Sequence, residues 1–252
     1  MLLTLGQVVL WGQTPRGSTE QHLAAAAGSG AFKSGEKLQY EIRYGIARCA
    51  VAEFSTTDTV IEGRRHFHHK ITGTTTGLIG AIYPLTDTYH SYTDAESDLP
   101  AIAIRDVHEQ SYRDYKVDRY DRKRRADSVV IVRETGDEVV VSKHTHDLVS
   151  VAYYLRNRVS RVPLTKGKTF EIPTFFNAEY YPMQIRYEGR EVIKTRFGNR
   201  ECYRFVPMVQ EGDLFKEREA ITVWFAADGG FEVMRVRFKL FLGSMYCDLV
   251  AK

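Results

Sequence analysis

The fold of this chain is decided by residues His146–Asn157, which read HDLVSVAYYLRN. Apolar side chains recur at helical spacing here and form one stripe, at Leu148, Val151, Ala152, Leu155 and Val159. Asp147 stands where an N-cap residue belongs, and Arg156 and Arg158 fall in the predicted last turn, where the helix dipole favours cations. The pattern predicts one amphipathic helix, at Asp147–Arg158.

The composition is that of an ordinary folded protein with many aromatic residues. The 252 residues include 35 basic and 32 acidic side chains, which gives a net charge of +3. This balance is too even to indicate a nucleic-acid partner, and we expect the basic run RYDRKRR at Arg119–Arg125 to be a solvated hairpin tip. Fifteen Tyr and thirteen Phe favour strands and large packed surfaces.

On both sides of the helix, apolar and polar residues alternate with a period of two, which is typical of half-buried strands. The clearest strands are predicted at Lys37–Ile46 and Phe231–Leu242. Two more are predicted at Tyr181–Tyr187 and Arg190–Thr195, joined by a turn at Glu188–Gly189. Strands joined by short turns favour an antiparallel meander. The predicted fold class is mainly β, a curved antiparallel sheet or half-barrel whose concave face packs against the helix.

The N-terminal part of the chain differs in composition from the rest. Residues 1–13 contain an apolar run that is too short to span a bilayer and resembles the core of a secretory signal peptide, although no basic region precedes it. We therefore expect export to the periplasm or outer envelope; an apolar N-terminus of a cytosolic protein is the alternative. Residues 14–35 have the composition of a poorly ordered linker. Residues 36–252 are expected to form a single β-rich domain, with strand sets at 36–143 and 163–252 joined by the helix in one sheet or two.

The stretch GLIGAIYPL at Gly77–Leu85 interrupts the alternation, because it is apolar on all sides. The simpler interpretation is a buried loop or short helical turn at one end of the sheet. The alternative is an exposed apolar lip that contacts a lipid or a partner. The sequence favours the buried arrangement and leaves the exposed one open.

The sequence contains no convincing catalytic or metal-binding motif. His66 with His68, and His144 with His146, are two residues apart, so two imidazoles on one strand face can reach the same metal ion. We treat these four residues as weak metal candidates and expect no metal and no cofactor, because closed sites show three or four ligands. The three cysteines are far apart and are expected to be buried, unreactive thiols.

Several segments together resemble one family of bacterial envelope proteins. They are HDLVSVAYYLRNR, FGNRECYRFVP and VWFAADGGFEVMRVRFKLFLGSMYCDLV in the C-terminal half, and TTTGLIGAIYPLTDTYHSYTD and DLPAIAIRDVHEQ in the N-terminal half. Their order and spacing are similar to those of the family called domain of unknown function 3108. The resemblance implies an exported, β-rich protein without an established activity. Some such proteins look similar to periplasmic lipoprotein carriers, in which a helix closes a curled antiparallel sheet around an apolar cavity.

The resemblance and the apolar strand faces lead to one main hypothesis for function. We expect a non-enzymatic envelope protein that binds or shields an apolar ligand, such as a lipid or acyl chain, in the cavity of the curved sheet. The candidate ligand-binding residues are Leu78, Ile82, Tyr83, Tyr154, Phe175 and Phe238. One alternative is a hydrolase or other enzyme that acts on envelope polymers, with His and carboxylate groups gathered from distant strands. Another is a structural or adaptor domain.

Overall fold

The computed structural model describes residues 30–208 and 219–252. The expected signal peptide and the linker up to residue 29 lie outside these residues. The first part of the chain forms β1 (Lys37–Tyr44), β2 (Ala47–Ile61), β3 (Arg64–Thr75), α1 (Gly77–Ile82), β4 (Leu85–Asp94), β5 (Pro100–Glu109), β6 (Tyr112–Asp121), β7 (Ser128–Arg133) and β8 (Glu138–Ser142). The second part forms α2 (Leu148–Arg161), β9 (Thr169–Phe176), β10 (Glu179–Thr195), β11 (Gly198–Pro207), β12 (Ile221–Ala226), β13 (Val233–Lys239) and β14 (Ser244–Ala251).

All fourteen strands found in the described residues belong to one antiparallel sheet, in the order β8-β7-β6-β5-β4-β3-β2-β1-β14-β13-β12-β11-β10-β9. Each strand set is a meander, and the two sets join where β1 pairs with β14. The edge strands β8 and β9 approach each other: His146, which follows β8, donates its N–H to Pro173 O and accepts from Phe175 N, both at 2.8 Å. The sheet is therefore a nearly closed barrel, which confirms the predicted fold class.

The predicted helix is present as α2 and lies inside the barrel. Asp147 caps it as expected, since its Oδ1 accepts from Val149 N at 2.8 Å and from Ser150 N at 2.9 Å. The helix continues past the predicted end at Arg158 and stops at Arg161. The sequence pattern thus predicts the helix and its start correctly. The predicted end of the helix lies about one turn before the observed end.

The longer helix gives Arg156 a different role from the one predicted. This side chain is 3% exposed and donates to Glu36 at 2.6 Å, so it is a buried ion-pair partner in mid-helix and not a cation at the C-terminal end. Ala31 and Phe32, which composition places in the linker, pack against the same part of α2. The Phe32 ring meets Tyr153 of α2 edge-to-face at 5.1 Å. Burial of this aromatic ring explains why the packed part of the chain begins before Glu36.

One predicted turn is a β-bulge. Tyr181–Tyr187 and Arg190–Thr195 are parts of the single strand β10, and the pairing register with β11 shifts between Tyr187 and Gly189. Gly189 has a φ of 108°, which glycine adopts without strain. The extra residue bends the strand without reversing it.

The strand predicted at Phe231–Leu242 is also shorter than expected. It begins at Val233 and ends at Lys239. Residues 240–243 form the turn to β14, closed by a hydrogen bond from Leu240 N to Gly243 O at 3.0 Å. Leu240 still packs against the main apolar cluster, whereas Phe241 and Leu242 lie outside the strand and are exposed.

Candidate functional site

The concave face of the barrel is occupied by α2, whose two flanks pack against the two strand sets. The predicted stripe faces the C-terminal set, where Val151, Leu155 and Val159 join a large apolar cluster. On the other flank, Val149 and Tyr153 pack against the N-terminal set. The helix itself thus fills the space in which an apolar ligand was expected.

Polar side chains of the interior hold α2 in place. Asp147 Oδ2 accepts a hydrogen bond from Ser91 Oγ at 2.6 Å. The imidazole of His69 lies 3.0 Å from the hydroxyls of both Thr56 and Thr93. Burial lowers the pKa of His69 to about 3, so this ring is neutral at physiological pH. These contacts give the buried polar groups a structural role that needs no ligand.

The apolar stretch around α1 forms an exposed lip, so the simpler expectation of burial is wrong. No residue of α1 is buried, and Leu78 and Ile82 are 76% and 67% exposed. Thr75 anchors the segment through the backbone, because its Oγ1 donates to Tyr83 O and accepts from Leu85 N, both at 2.9 Å. Since the backbone holds the helix in place, its apolar side chains are left facing outward.

Two neighbouring turns place more exposed apolar side chains at the same end of the barrel. Ile46 in the β1–β2 turn is fully exposed, and Phe241 and Leu242 in the β13–β14 turn are 65% and 72% exposed. The two turns adjoin, because β1 pairs with both β2 and β14, and the Tyr44 hydroxyl donates to Leu242 O. α1 comes next, since it follows β3, the partner of β2. We define the apolar rim as Ile46, Leu78, Ile82, Phe241 and Leu242.

Charged and aromatic side chains border the rim. Arg43 and Arg48 lie opposite each other in β1 and β2, with side chains 45% and 56% exposed. Both approach Glu41, at 3.5 and 3.4 Å, and Arg43 also pairs with Asp248 at 2.8 Å. Tyr112, beside the β5–β6 turn, is 54% exposed. Arginine and tyrosine beside an apolar patch are typical of surfaces that contact a membrane interface.

The structure brings three of the six predicted ligand-binding residues together. Leu78 and Ile82 belong to the rim, and Tyr83 follows them. The other three lie in packed regions, at Tyr154 of α2, Phe175 of β9 and Phe238 of β13. Packing explains these three, so the six residues do not line one common pocket in the described part of the chain.

Sequence reasoning missed the remaining rim residues. Ile46, Phe241 and Leu242 lie at the ends of predicted strands. Ile46 and Leu242 continue the apolar alternation, whereas Phe241 falls on the face that carries Arg235, Arg237 and Lys239. The signal that identifies Ile46 and Leu242 is a large apolar residue directly beside a turn glycine, as in Gly45–Ile46 and Leu242–Gly243. Both glycines have positive φ, at 58° and 78°.

The histidines do not pair as their spacing suggested. His68 Nε2 lies 2.8 Å from Nδ1 of His90 on the next strand, and His66 Nδ1 lies 2.9 Å from a backbone carbonyl. His146 is buried, which lowers its pKa to about 3, whereas His144 is exposed. Within residues 30–208 and 219–252, no three His, Cys, Asp or Glu side chains are grouped to hold a metal. The weak metal candidates stay a prediction.

Two clefts lie away from the rim. A cleft of about 500 Å³ opens at the opposite end of the barrel, beside the C-terminal end of α2 and the β2–β3 and β4–β5 turns. A pocket of about 30 Å³ lies between β4–β6, β9 and the start of α2 and is lined by residues that include His90 and Asp147. A space of that size holds a water molecule, which is too little for a substrate, so it gives the enzyme alternative no support.

The cysteines are unpaired; Cys49 and Cys202 are buried as expected, whereas Cys247 is only partly buried. Burial raises the pKa of Cys202 to about 11, so its thiol stays protonated and is a poor nucleophile at neutral pH. This agrees with the expected inert role.

A nearly closed antiparallel barrel around an internal helix places the chain among the barrel-like β proteins. The chain belongs to the family described as a protein of unknown function (DUF3108), whose model matches residues 39–250. The family resemblance seen in the sequence is thereby confirmed. No curated protein matches the chain. Neither helix of the described part is long and apolar enough to cross a bilayer.

Solved structures that match the chain have little sequence identity with it. A β-barrel-like protein of domain of unknown function DUF1849 from Brucella abortus has a TM-score of 0.53 at 8% identity, covering 85% of this chain and 94% of that one. A DUF1089 family protein from Pseudomonas aeruginosa has a TM-score of 0.37 at 11% identity, covering 83% and 94%. The lipoprotein LppX from Mycobacterium tuberculosis has a TM-score of 0.23 at 13% identity, covering 85% and 84%. The first of these likenesses shows the fold alone.

Proposed function

We propose that the protein is an exported, non-enzymatic envelope protein that binds lipid through the apolar rim. The observation that carries this proposal is the exposure of five large apolar side chains on three adjoining segments. Single exposed apolar residues are normal, whereas a contiguous patch marks a binding surface. The apolar run in residues 1–13 supports export. The expected apolar ligand is kept, but its site moves from the concave face to one end of the barrel.

A bilayer surface is the occupant that the rim fits best. Leu, Ile and Phe side chains each contribute roughly 1.5–3 kcal/mol when fully buried, and interfacial elements insert about 5–10 Å into the boundary of headgroups and acyl chains. At that depth Tyr44 and Tyr112 would lie among the headgroups, where tyrosine is favoured. Arg43 and Arg48 would face anionic lipid phosphates.

Sedimentation with lipid vesicles tests the proposal. The wild-type protein should sediment with vesicles that contain phosphatidylethanolamine and phosphatidylglycerol. The double variants Leu78→Ser/Ile82→Ser and Phe241→Ser/Leu242→Ser should each bind at least about tenfold more weakly, because each loses two inserted side chains. Their thermal stability should match that of the wild type, since the replaced side chains are exposed.

Val60→Ser/Val192→Ser is the matched control. These valines are 68% and 64% exposed but lie in strands near the other end of the barrel, so their loss should leave vesicle binding unchanged. The proposal is wrong if the wild type stays in the supernatant, or if the rim variants and the control sediment alike. Wild-type protein that binds another protein through the rim but ignores vesicles would assign the rim to a protein partner instead.

A further inference from the structure

The cleft opposite the rim has the size and wall chemistry of a small-molecule site. Its volume of about 500 Å³ lies within the range of roughly 300–1,000 Å³ typical of such sites. Phe32 and Phe67 form an apolar part of the wall, with ring centroids 5.2 Å apart and the rings edge-to-face. The charged side chains around them are contributed by the β2–β3 turn, the β4–β5 turn and the last turn of α2.

Most of the charges that face the cleft are already neutralised. Arg64 pairs with Asp94 at 2.9 Å and with Glu96 at 3.6 Å. Arg65 pairs with Asp58 at 2.7 Å. These groups satisfy one another, so they do not call for a ligand.

Two opposite charges in the cleft, on Asp98 and Arg161, form no ion pair with another described residue. In the described residues, neither Asp98 nor Arg161 has an oppositely charged group within 4.0 Å. The two side chains are close enough that the positive charge of Arg161 lowers the pKa of Asp98. Burial is the largest effect on the pKa of Asp98 and raises it, while the hydrogen bond from Asn157 and the charge of Arg161 lower it, so its negative charge is left without full compensation. A ligand with a positive group for Asp98 and a negative group for Arg161 would supply it.

The fold holds Asp98 in position. Its backbone has a φ of 61°, a left-handed conformation that Asp and Asn tolerate better than most residues. Asn157, which is 3% exposed, donates to Asp98 Oδ1 at 2.9 Å and accepts from Ala31 N at 2.8 Å. Gly30 passes so close that a Cβ there would lie 3.1 Å from Asn157 Oδ1. The carboxyl group is therefore fixed at the wall of the cleft by the buried end of α2 and by the segment before β1.

We infer that this cleft binds a small zwitterion, an amino acid or short peptide, with its ammonium group at Asp98 and its carboxylate at Arg161. An apolar side chain of the ligand would lie against Phe32 and Phe67. This site goes beyond lipid binding at the rim and lies at the other end of the barrel. The two activities therefore depend on different residues and can fail separately.

Calorimetric titration of the full chain with a dipeptide such as Ala-Phe tests the site. Binding should be saturable, and the N-acetylated and the C-amidated forms of the peptide should each bind at least about tenfold more weakly, because each loses one charged hydrogen-bonding group. Asp98→Asn and Arg161→Gln should weaken binding of the unmodified peptide by a similar factor. Asn keeps the bond from Asn157 and tolerates the left-handed backbone, so Asp98→Asn should fold.

Arg158→Gln is the control on the same helix, since its guanidinium lies over the Tyr154 ring at 5.9 Å and does not line the cleft. It should bind the peptide like the wild type, as should the rim variant Leu78→Ser/Ile82→Ser. The inference is overturned if no amino acid or dipeptide binds at millimolar concentration, or if both cleft variants bind normally. Binding of phosphoethanolamine in place of peptides would overturn the peptide assignment and identify a lipid headgroup site.

Discussion

Asp87 is a buried carboxyl group whose negative charge opposes folding. It lies on the inner face of β4, fully buried; its Oδ1 accepts from His108 N at 3.2 Å, and its Oδ2 has no partner in the described residues. Burial, assisted by the nearby charge of Glu109, raises the pKa of Asp87 to about 6. Between about pH 4 and 6 the folded protein holds a proton that the unfolded chain has released. The contribution of Asp87 to the free energy of unfolding is therefore present below about pH 4 and is lost as the pH rises through 6.

We predict that Asp87→Asn removes this part of the pH dependence. The amide resembles the protonated acid, so variant and wild type should be similarly stable near pH 4. Near pH 7 the variant should be more stable by on the order of 2 kcal/mol. Urea unfolding over this range of pH measures the difference, with Asp127→Asn in the exposed β6–β7 turn as the control. Parallel stability curves for wild type and Asp87→Asn would show that another group titrates.

Asp147 illustrates which residue roles a sequence reveals. Its capping of α2 was predictable, because a cap involves the backbone of the next three residues only. Its bond from Ser91 was not, because it joins residues far apart in the chain whose contact depends on how β4 packs against the helix. The ion pair of Arg156 with Glu36 could not be predicted for the same reason. In this protein, local contacts could be predicted from the sequence and long-range polar contacts could not.

At the scale of elements, α1 shows why an apolar segment does not reveal its own exposure. Its composition fits burial and exposure equally well. The exposure of α1 is determined by two contacts of its backbone. Thr75 Oγ1 donates to Tyr83 O, and Gly80 lies so close to Thr75 that a Cβ there would be only 2.9 Å from Thr75 O. Both depend on the position of the end of β3 relative to the helix. The sequence therefore allowed both a buried and an exposed α1, and the structure was needed to decide between them.

For α2 we predict that Leu155→Asp destabilises the fold severely. Leu155 is 6% exposed within the apolar cluster that joins the helix to the C-terminal strands. An unpaired carboxylate there should lower the free energy of unfolding by more than about 4 kcal/mol. Urea unfolding monitored by circular dichroism measures the loss. Leu155→Met keeps volume and polarity and should cost less than about 1.5 kcal/mol. A Leu155→Asp variant as stable as Leu155→Met would mean that this flank of α2 is not packed.

At the scale of the whole molecule, the sequence predicts that the strands form an antiparallel meander but does not predict how the sheet closes. Short turns and period-two alternation predicted an antiparallel meander, and the described strands form one. The pairing of β1 with β14 brings together segments from the two ends of the domain. Such pairing leaves no mark in local patterns, so one sheet and two sheets remained equal alternatives. The same closure places the rim and the charged cleft at opposite ends of one barrel.

The position of α2 between the two strand sets predicts that they unfold together. Neither strand set keeps its apolar core when α2 unfolds. Val149 and Tyr153 complete the core of the N-terminal set, and Leu155 completes that of the C-terminal set. With Trp11 replaced by Phe, the fluorescence of Trp224, in the C-terminal set, should follow the same urea transition as circular dichroism. Val107→Ala, in a fully buried position of the N-terminal set, should lower stability by roughly 2 kcal/mol and shift the Trp224 transition equally. Val60→Ala, at an exposed position of the same set, should leave both signals in place. If Val107→Ala moves the circular dichroism transition and leaves that of Trp224 unchanged, the two strand sets are independent folding units and α2 belongs to one of them.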